Sequence, residues 1–549
     1  SDSLNSTWNG IVGKIELRST PLVWIEDAQA IPNVKSNFVA LKVRLGNVTG
    51  REASVRLGVT LALGRDLAFD DFSKPKQVTV PAGGCELVIN KSPIGKVGTW
   101  DEFDPLTDGV SVSLEHEGVK DHLSVSFAFR DFKAVGQEFF INGRPTHLRG
   151  THHGGDFALT GYPPCDLEYC LKLFRTCKEW GLNHVRFHSF CPPEAAFTAA
   201  DEVGIYLQIE PGMWNDISPG TPMEAMLYAE TERIIKAYGN HPSFVLLSAS
   251  NEAKGRWKEA LPKWVKHFRE VDPRRLYTPD TGWSLIDEPG PVEGADFLAV
   301  HRIGQNLMRG ERGWFGRDYA RATRGVNVPI VTHEVGQWCA YPDYDVIKKF
   351  TGYMRPGNFE IFRDSAVANG LERRSPTRRE GGDVIELAGS ESGAPTTKDF
   401  AWASGRFQLA CYKEEIEANL RTPGLAGFQL LDLHDYVGQG TALVGLLDPF
   451  WESKGYVNAA EWRQFCSPVV PLARLTKRVF TTAEKFEVPV EVANYSAGPL
   501  TNARLNWQIK TVMGSNKFAG TFPVAALPLG RTSIERSSVE LAALPAPAR

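Results

Sequence analysis

What this sequence lacks narrows it first. No apolar run is long enough to span a bilayer. No long block of Lys and Arg accompanies the net charge of −4. Nothing electrostatic therefore recommends DNA, RNA or an anionic membrane as a partner. Cysteine is sparse: Cys85, Cys165, Cys170, Cys177, Cys191, Cys339, Cys411 and Cys466 are all there is in 549 residues. No two form a CxxC pair, which excludes the usual structural zinc motifs, and eight thiols make no disulfide framework in so long a chain. Mostly buried free thiols are expected, since free Cys behaves as a small hydrophobe. The chain opens on "SDSLNSTWNG" with no Met and no signal-like segment, as a mature or trimmed chain would.

What is present is ordinary for a globular protein, with 42% apolar and 23% charged residues. The length predicts three or four domains, or fewer if one is a large barrel. Tryptophan is abundant, at 14 residues. Its flat ring and N–H suit the apolar faces of sugars as well as a core.

The hydrophobic pattern changes twice along the chain. Up to about residue 132, stretches such as "VALKVRLGNVTG" and "DHLSVSFAFRDF" alternate apolar and polar residues between turn residues, the pattern of a β-sandwich. The opening "WNGIVGKIEL" reads as a strand separate from that sandwich. After "FFINGRPTHLRG", eight short apolar runs follow: 146–153, 183–190, 205–211, 244–252, 276–282, 297–303, 329–336 and 427–435. Helix-period segments such as "DLEYCLKLFRTCKEWGL", "TPMEAMLYAETERIIKAYGN" and "WKEALPKWVKHFREVD" lie between the earlier runs. Eight strands alternating with helices predict a (β/α)8 TIM barrel. The stretch from about 340 to 400, with "LERRSPTRREGG", predicts an irregular excursion over the barrel mouth. After about 470, "KFEVPVEVANYSAGPLTNARLNWQIK" returns to β alternation and predicts a second sandwich.

Barrel active sites form at the C-terminal ends of the strands. Here those ends carry His152, His153 and Asp156, then Arg186 and His188, Glu210, Asn251 and Glu252, Asp280, His301 and Arg302, His333 and Glu334, and finally Asp432, His434 and Asp435. Ionisable groups at every strand end are costly to bury without partners, so they predict a polar ligand. Glu252 and Glu334 end strands four and seven, which face each other across a barrel mouth. Such a carboxylate pair suits glycoside hydrolysis, one protonating the leaving oxygen and the other attacking the anomeric carbon or activating water. Gln337 and Trp338 follow Glu334 closely and are the best placed to touch a sugar. Trp214, Trp283 and Trp451 are further stacking candidates, with core packing the plain alternative for each. His152, His153, Asp156 and His188 match no dedicated metal spacing, so neither metal nor cofactor is expected. Arg186 and Glu210 also have a plain structural reading, with Arg186 keeping Glu334 ionised.

The stretches "FFINGRPTHLRGTHH", "WGLNHVRFHSFCPPEAAFTAADEVGIYLQIE", "GNHPSFVLLSASNE" and "PIVTHEVGQW" resemble glycoside hydrolase family 2, which includes β-galactosidases, β-glucuronidases and β-mannosidases. The resemblance implies a retaining, double-displacement exo-β-glycosidase without cofactors. It makes Glu334 the nucleophile, Glu252 the acid/base and Asn251 a ligand of the sugar 2-hydroxyl. His153, Asp156, Arg186, His188, His301, Gln337, Trp338, Asp432 and His434 become sugar-binding candidates. The implied organisation has immunoglobulin-like β-sandwiches flanking the TIM barrel. Residues 1–22 would be the last strand of a jelly roll largely absent from this chain, and 23–133 an immunoglobulin-like domain. The catalytic barrel would span 134–470 and a C-terminal sandwich 471–549.

The sugar is open on the sequence. β-Galactoside is the first expectation and β-glucuronide or β-galacturonide the alternative, since Arg186 and Arg302 can meet a carboxylate. Segments such as "FHSFCPP", "SASNE" and "GFQLLDLHDYVGQG" depart from familiar members. A non-catalytic carbohydrate-binding protein is the reading from another class. Carbohydrate is the expected partner, with a supplied jelly-roll portion or a homo-oligomer as further ones. Polysaccharide-degrading relatives are often exported, which points to the periplasm or the exterior.

Overall fold

The computed structural model describes residues 8, 10–64, 75–92, 97–283, 294–301, 316–370, 396–436, 443–475, 477–510 and 516–542. The alternating N-terminal stretches form two facing sheets. One contains Val23–Asn33, Phe38–Asn47 and Cys85–Lys91; the other contains Ala53–Ala62, Lys76–Val80, Asp108–His116 and Val119–Phe127. Every second residue of Phe38–Asn47 is buried, and Val39, Leu41, Val43 and Leu45 join Val55, Val59, Val110 and Val112 in one core. Residues 10–22, expected to hold a strand, form no ladder among the described residues. Ile11, Ile15 and Leu17 stand exposed there, because an alternating stretch without a neighbouring sheet has nothing to bury its apolar side against.

The barrel follows the expected runs. Its strands are Leu148–His153, His184–Phe187, Tyr206–Ile209, Phe244–Ser248, Leu276–Thr278 with Thr281–Gly282, Leu298–Val300, Ile330–Gly336 and Leu425–Leu431. Strand five is split. Its first part pairs with strand four and its second with strand six, so the break at Pro279 and Asp280 is where the sheet closes on itself. The expected helices occupy Leu167–Glu179, Pro222–Tyr238 and Trp257–Val271. Asp166 and Thr221 cap the first two, accepting from Tyr169 and Glu224 backbone N–H groups. The strands are buried on both faces, as a parallel sheet wrapped in helices requires. A three-stranded sheet of Phe132–Val135, Glu138–Ile141 and Arg144–Thr146, with Trp100, plugs the N-terminal end against Tyr206, Phe297 and Val331. The ligand face is thus the opposite, C-terminal end.

The stretch from about 340 to 400 is more regular than its composition suggested. It contains the 3-10 turn Tyr344–Lys349, the helix Gly357–Ala368 and the start of the helix Thr397–Arg421. The last has a capping box at Thr396 and Asp399, a local signal that composition does not reveal. The "LERRSPTRREGG" stretch lies outside the described residues. The C-terminal region pairs Val469–Ala473, Lys485–Asn494 and Gly530–Glu540 in one sheet and Leu500–Lys510 with Asn516–Leu527 in another. All eight cysteines are free thiols.

Candidate active site

Two backbone devices aim the carboxylates. At strand seven, Thr332 pairs with Phe428 and Val335 with Leu430, so His333 and Glu334 together oppose one residue of strand eight. This bulge swings Glu334 out of the ladder and gives it a φ of 52°. At strand four, Glu252 has a φ of 44°, and its N–H donates to the Thr281 carbonyl at 2.8 Å. A left-handed backbone is rare for residues other than glycine. The Glu252 side chain lies against Gly282, where an added Cβ would come within 2.6 Å of Glu252 Cγ and 3.5 Å of His333 Nε2. Strand five therefore brings the Glu252 and His333–Glu334 regions together.

The electrostatics pull the two carboxyls apart. Burial raises the Glu252 pKa, and the negative charge of Glu334 raises it further, against a hydrogen bond from Trp214. Burial alone would also raise Glu334. The Arg186 guanidinium and the adjoining His188 ring outweigh it and hold that carboxyl well below its usual range. His188 Nε2 and His333 Nδ1 each lie 3.7 Å from Glu334 Oε1. One carboxyl pKa raised beside one held low is the pattern of an acid and a nucleophile.

Arg186 organises the floor. It is fully buried and bidentate on Glu210, with Nε at 2.7 Å and Nη2 at 3.2 Å. Nη2 also donates to Asn251 Oδ1 at 2.6 Å, and Nη1 to His333 Nδ1 at 3.1 Å. With Nδ1 accepting, His333 is a neutral imidazole, consistent with the burial that drives its pKa well down. Arg186 is thus turned inward, and Glu210 also accepts the Ser189 N–H at 2.9 Å. The Asn251 amide has its oxygen fixed by Arg186 while Nδ2 has no partner among the described residues.

A second cluster closes the other side of the mouth. His434 lies between Asp156, 3.1 Å from Nε2, and Asp432, 3.5 Å from Nδ1. Burial opposes a charge on this ring, but the two carboxylates win and raise its pKa to about 10. His152 Nδ1 is 2.8 Å from the same Asp432 oxygen. Thr151 and the Leu433 N–H hold the other oxygen. His153 is neutral by contrast: burial lowers it to about 4, and its Nδ1 accepts the Gly155 N–H at 3.1 Å. His301 packs edge-on to His333 with ring centres 5.6 Å apart.

The tryptophans separate. Trp214 is half exposed, acts to lower the Glu252 pKa against its burial and meets His188 edge-on at 5.0 Å. Trp283 keeps a buried indole N–H without a partner among the described residues. Trp338 donates its indole N–H to Glu415 at 2.7 Å, and Trp451 stacks on His434 at 4.2 Å, so both are tied into the wall. The Gln337 amide reaches back to the Glu334 carbonyl at 3.3 Å. Arg302 lies outside the described residues. Sequence reasoning missed the contacts of Gly282 and the tie between Asp280 and Ala253. The only hint was the turn-forming "PDTG" inside strand five.

Residues 132–287 match the family model "Glycosyl hydrolases family 2, TIM barrel domain". The matched stretch is thus similar to the family 2 barrel over its first five strands. Residues 484–549 match a domain of unknown function, DUF8488. A putative beta-glucuronidase of Formosa agariphila is 31% identical over 161 residues, covering 28% of this chain and 19% of that protein. A beta-galactosidase of an Arthrobacter species is 24% identical over 225 residues, covering 38% of this chain and 21% of that protein. The aligned parts are thus well under half of these curated relatives. Among solved structures, the beta-D-mannosidase of Dictyoglomus thermophilum superposes with a TM-score of 0.65 at 14% identity, over 95% of this chain and 63% of that one. At that identity the likeness concerns the fold.

Proposed function

We propose that this family 2 chain is a retaining exo-β-glycosidase in which Glu334 is the nucleophile and Glu252 the acid/base. The observation that carries the reading is the pair of carboxyls shifted in opposite directions at the ends of strands four and seven. In the first step a Glu334 oxygen forms a bond to the anomeric carbon. The bond to the leaving oxygen breaks, and that oxygen takes the Glu252 proton. Esterified Glu334 carries no charge, so the repulsion that raised Glu252 is gone and the carboxylate becomes the favoured form. In the second step Glu252 takes a proton from water, whose oxygen attacks the anomeric carbon and displaces Glu334. The Nδ2 of Asn251, without a partner among the described residues, would donate to a sugar hydroxyl. The exo mode comes from the family resemblance.

For the sugar, we propose a neutral hexoside, with β-galactoside first. Arg186 is committed to Glu210, Asn251 and His333, which removes it as a receiver for a uronate carboxylate. Asp156 and Asp432 add acidic character around the described mouth. The uronide alternative keeps the support of relatives named beta-glucuronidase. A panel of nitrophenyl β-glycosides that includes the galactoside, glucuronide, galacturonide and mannoside tests both levels. Turnover abolished by Glu334→Gln is expected. Preference for a uronide overturns the sugar and leaves the glycosidase. Sugar binding with no turnover of any member leaves a carbohydrate-binding protein instead.

A further inference from the structure

The break in strand five does more than close the barrel. Three consecutive ties join it to the end of strand four. The Thr281 N–H donates to the Ser250 carbonyl at 3.0 Å, and the Glu252 N–H donates to the Thr281 carbonyl at 2.8 Å. The third tie uses a side chain: the Ala253 N–H donates to Asp280 Oδ1 at 2.9 Å. These ties bracket Glu252 in the conformation that costs it most. A non-glycine residue held in the left-handed region relaxes unless its surroundings fix it.

Stability alone does not account for an Asp at position 280. The residue is 8% exposed, and its second oxygen is buried with no hydrogen-bond partner among the described residues. Leaving a buried acceptor unmatched costs about 1–3 kcal/mol. Burial also pushes its carboxyl well above the usual range, with the negative charges of Glu210 and Glu252 adding to that. A costly group that persists beside a strained backbone marks a local rule broken for a functional reason.

We propose that Asp280 is a positioning residue for the acid/base: it caps the Ala253 N–H and so holds Glu252 in its left-handed conformation, aimed at the leaving oxygen. This rests on the reading of Glu252 as the acid/base. Asp280 touches no reacting atom and acts only through Glu252.

The chemistry supplies a selective test. A dinitrophenolate leaves without being protonated, whereas a phenolate or alkoxide leaving group needs the acid. The kcat/KM of a dinitrophenyl and a phenyl glycoside of the sugar turned over would be compared in the intact chain and in D280A, D280N, E252Q and D280A/E252Q. D280A is expected to slow the phenyl glycoside about tenfold or more while the dinitrophenyl glycoside changes less than about threefold. D280N keeps the oxygen acceptor and should recover most of the loss. On the E252Q background D280A should add nothing, since the two act as one unit. D280S replaces D280A if the alanine variant does not fold. Equal loss on both substrates in D280A or D280S, beside a leaving-group-dependent E252Q, overturns the role of Asp280 alone. An E252Q chain that slows both substrates equally removes Glu252 from the acid/base role, and this proposal with it.

Discussion

Glu252 and Glu334 share a backbone anomaly: both are left-handed, with φ of 44° and 52°, at the ends of strands four and seven. Such conformations cost of order 1–3 kcal/mol each and persist only where neighbours over-determine them. The two are held by different means, Glu252 by ties to strand five and Glu334 by a bulge against strand eight. Ser189 and Gln337, at 57° and 56°, border the same mouth. Strain thus gathers at one end of the barrel, on the two carboxylates of the proposed acid and nucleophile.

The opposite pKa shifts predict a bell-shaped kcat/KM profile. Glu334 must be ionised and its pKa is depressed, so the acid limb should fall below the ordinary carboxyl value of about 4.3. Glu252 must be protonated and its pKa is raised, so the alkaline limb should lie above that value. Removing the Glu334 charge removes a repulsion that favours the protonated acid. Glu252 in Glu334→Gln should therefore titrate lower than in the parent chain. Carbon-13 NMR titration of the glutamate carboxyls reads this directly. An unchanged or higher value means that Glu334 does not set the acid.

Much of this was legible in the sequence because a parallel barrel strand, buried on both faces, leaves a continuous apolar run. All eight runs became strands, and the polar residues just after them became the mouth. The exchange partners of those residues were not legible. Arg186 read both as a sugar ligand and as a structural group beside Glu334; its guanidinium turns inward, because Glu210, the residue just past strand three, offers it a bidentate partner. Trp338 and Trp451 looked like stacking platforms but are tied to Glu415 and His434, both brought in by distant segments. Periodicity reports which way a residue points from its own element. It does not report what another element places there.

Gly282 offers a steric test. Its φ is 135°, and a Cβ there would meet Glu252 Cγ at 2.6 Å, closer than carbon atoms tolerate. Gly282→Ala should displace the Glu252 side chain and cost stability of roughly 1–3 kcal/mol. Turnover should fall more for substrates that need protonation than for a dinitrophenyl glycoside. A folded alanine variant with undiminished turnover of the phenyl glycoside would show that the acid does not need this side of its pocket open.

His434 carries the last prediction, one of stability against pH. Its folded-state pKa is about 10, raised by Asp156 and Asp432 against burial, whereas an unfolded histidine titrates near 6.5. A group whose pKa rises on folding adds stability that is fully present below the unfolded value and is lost as pH climbs through the folded one. The contribution should thus be complete below about pH 6.5 and fade toward pH 10, with a span on the order of a few kcal/mol. Asp432 works in the opposite direction. Burial would raise it, but His152 and His434 hold it low, so its contribution is present near neutrality and lost as pH falls through its depressed pKa. Replacing His434 with Asn removes the alkaline dependence and leaves Asp156 and Asp432 facing each other without a cation between them. Thermal melting of the two chains from pH 6 to 10 should show the widest Tm gap at the acid end and convergence toward pH 10. A gap that stays constant across that range means the ring between the two carboxylates is neutral, and the wall of the mouth is more acidic than this arrangement requires.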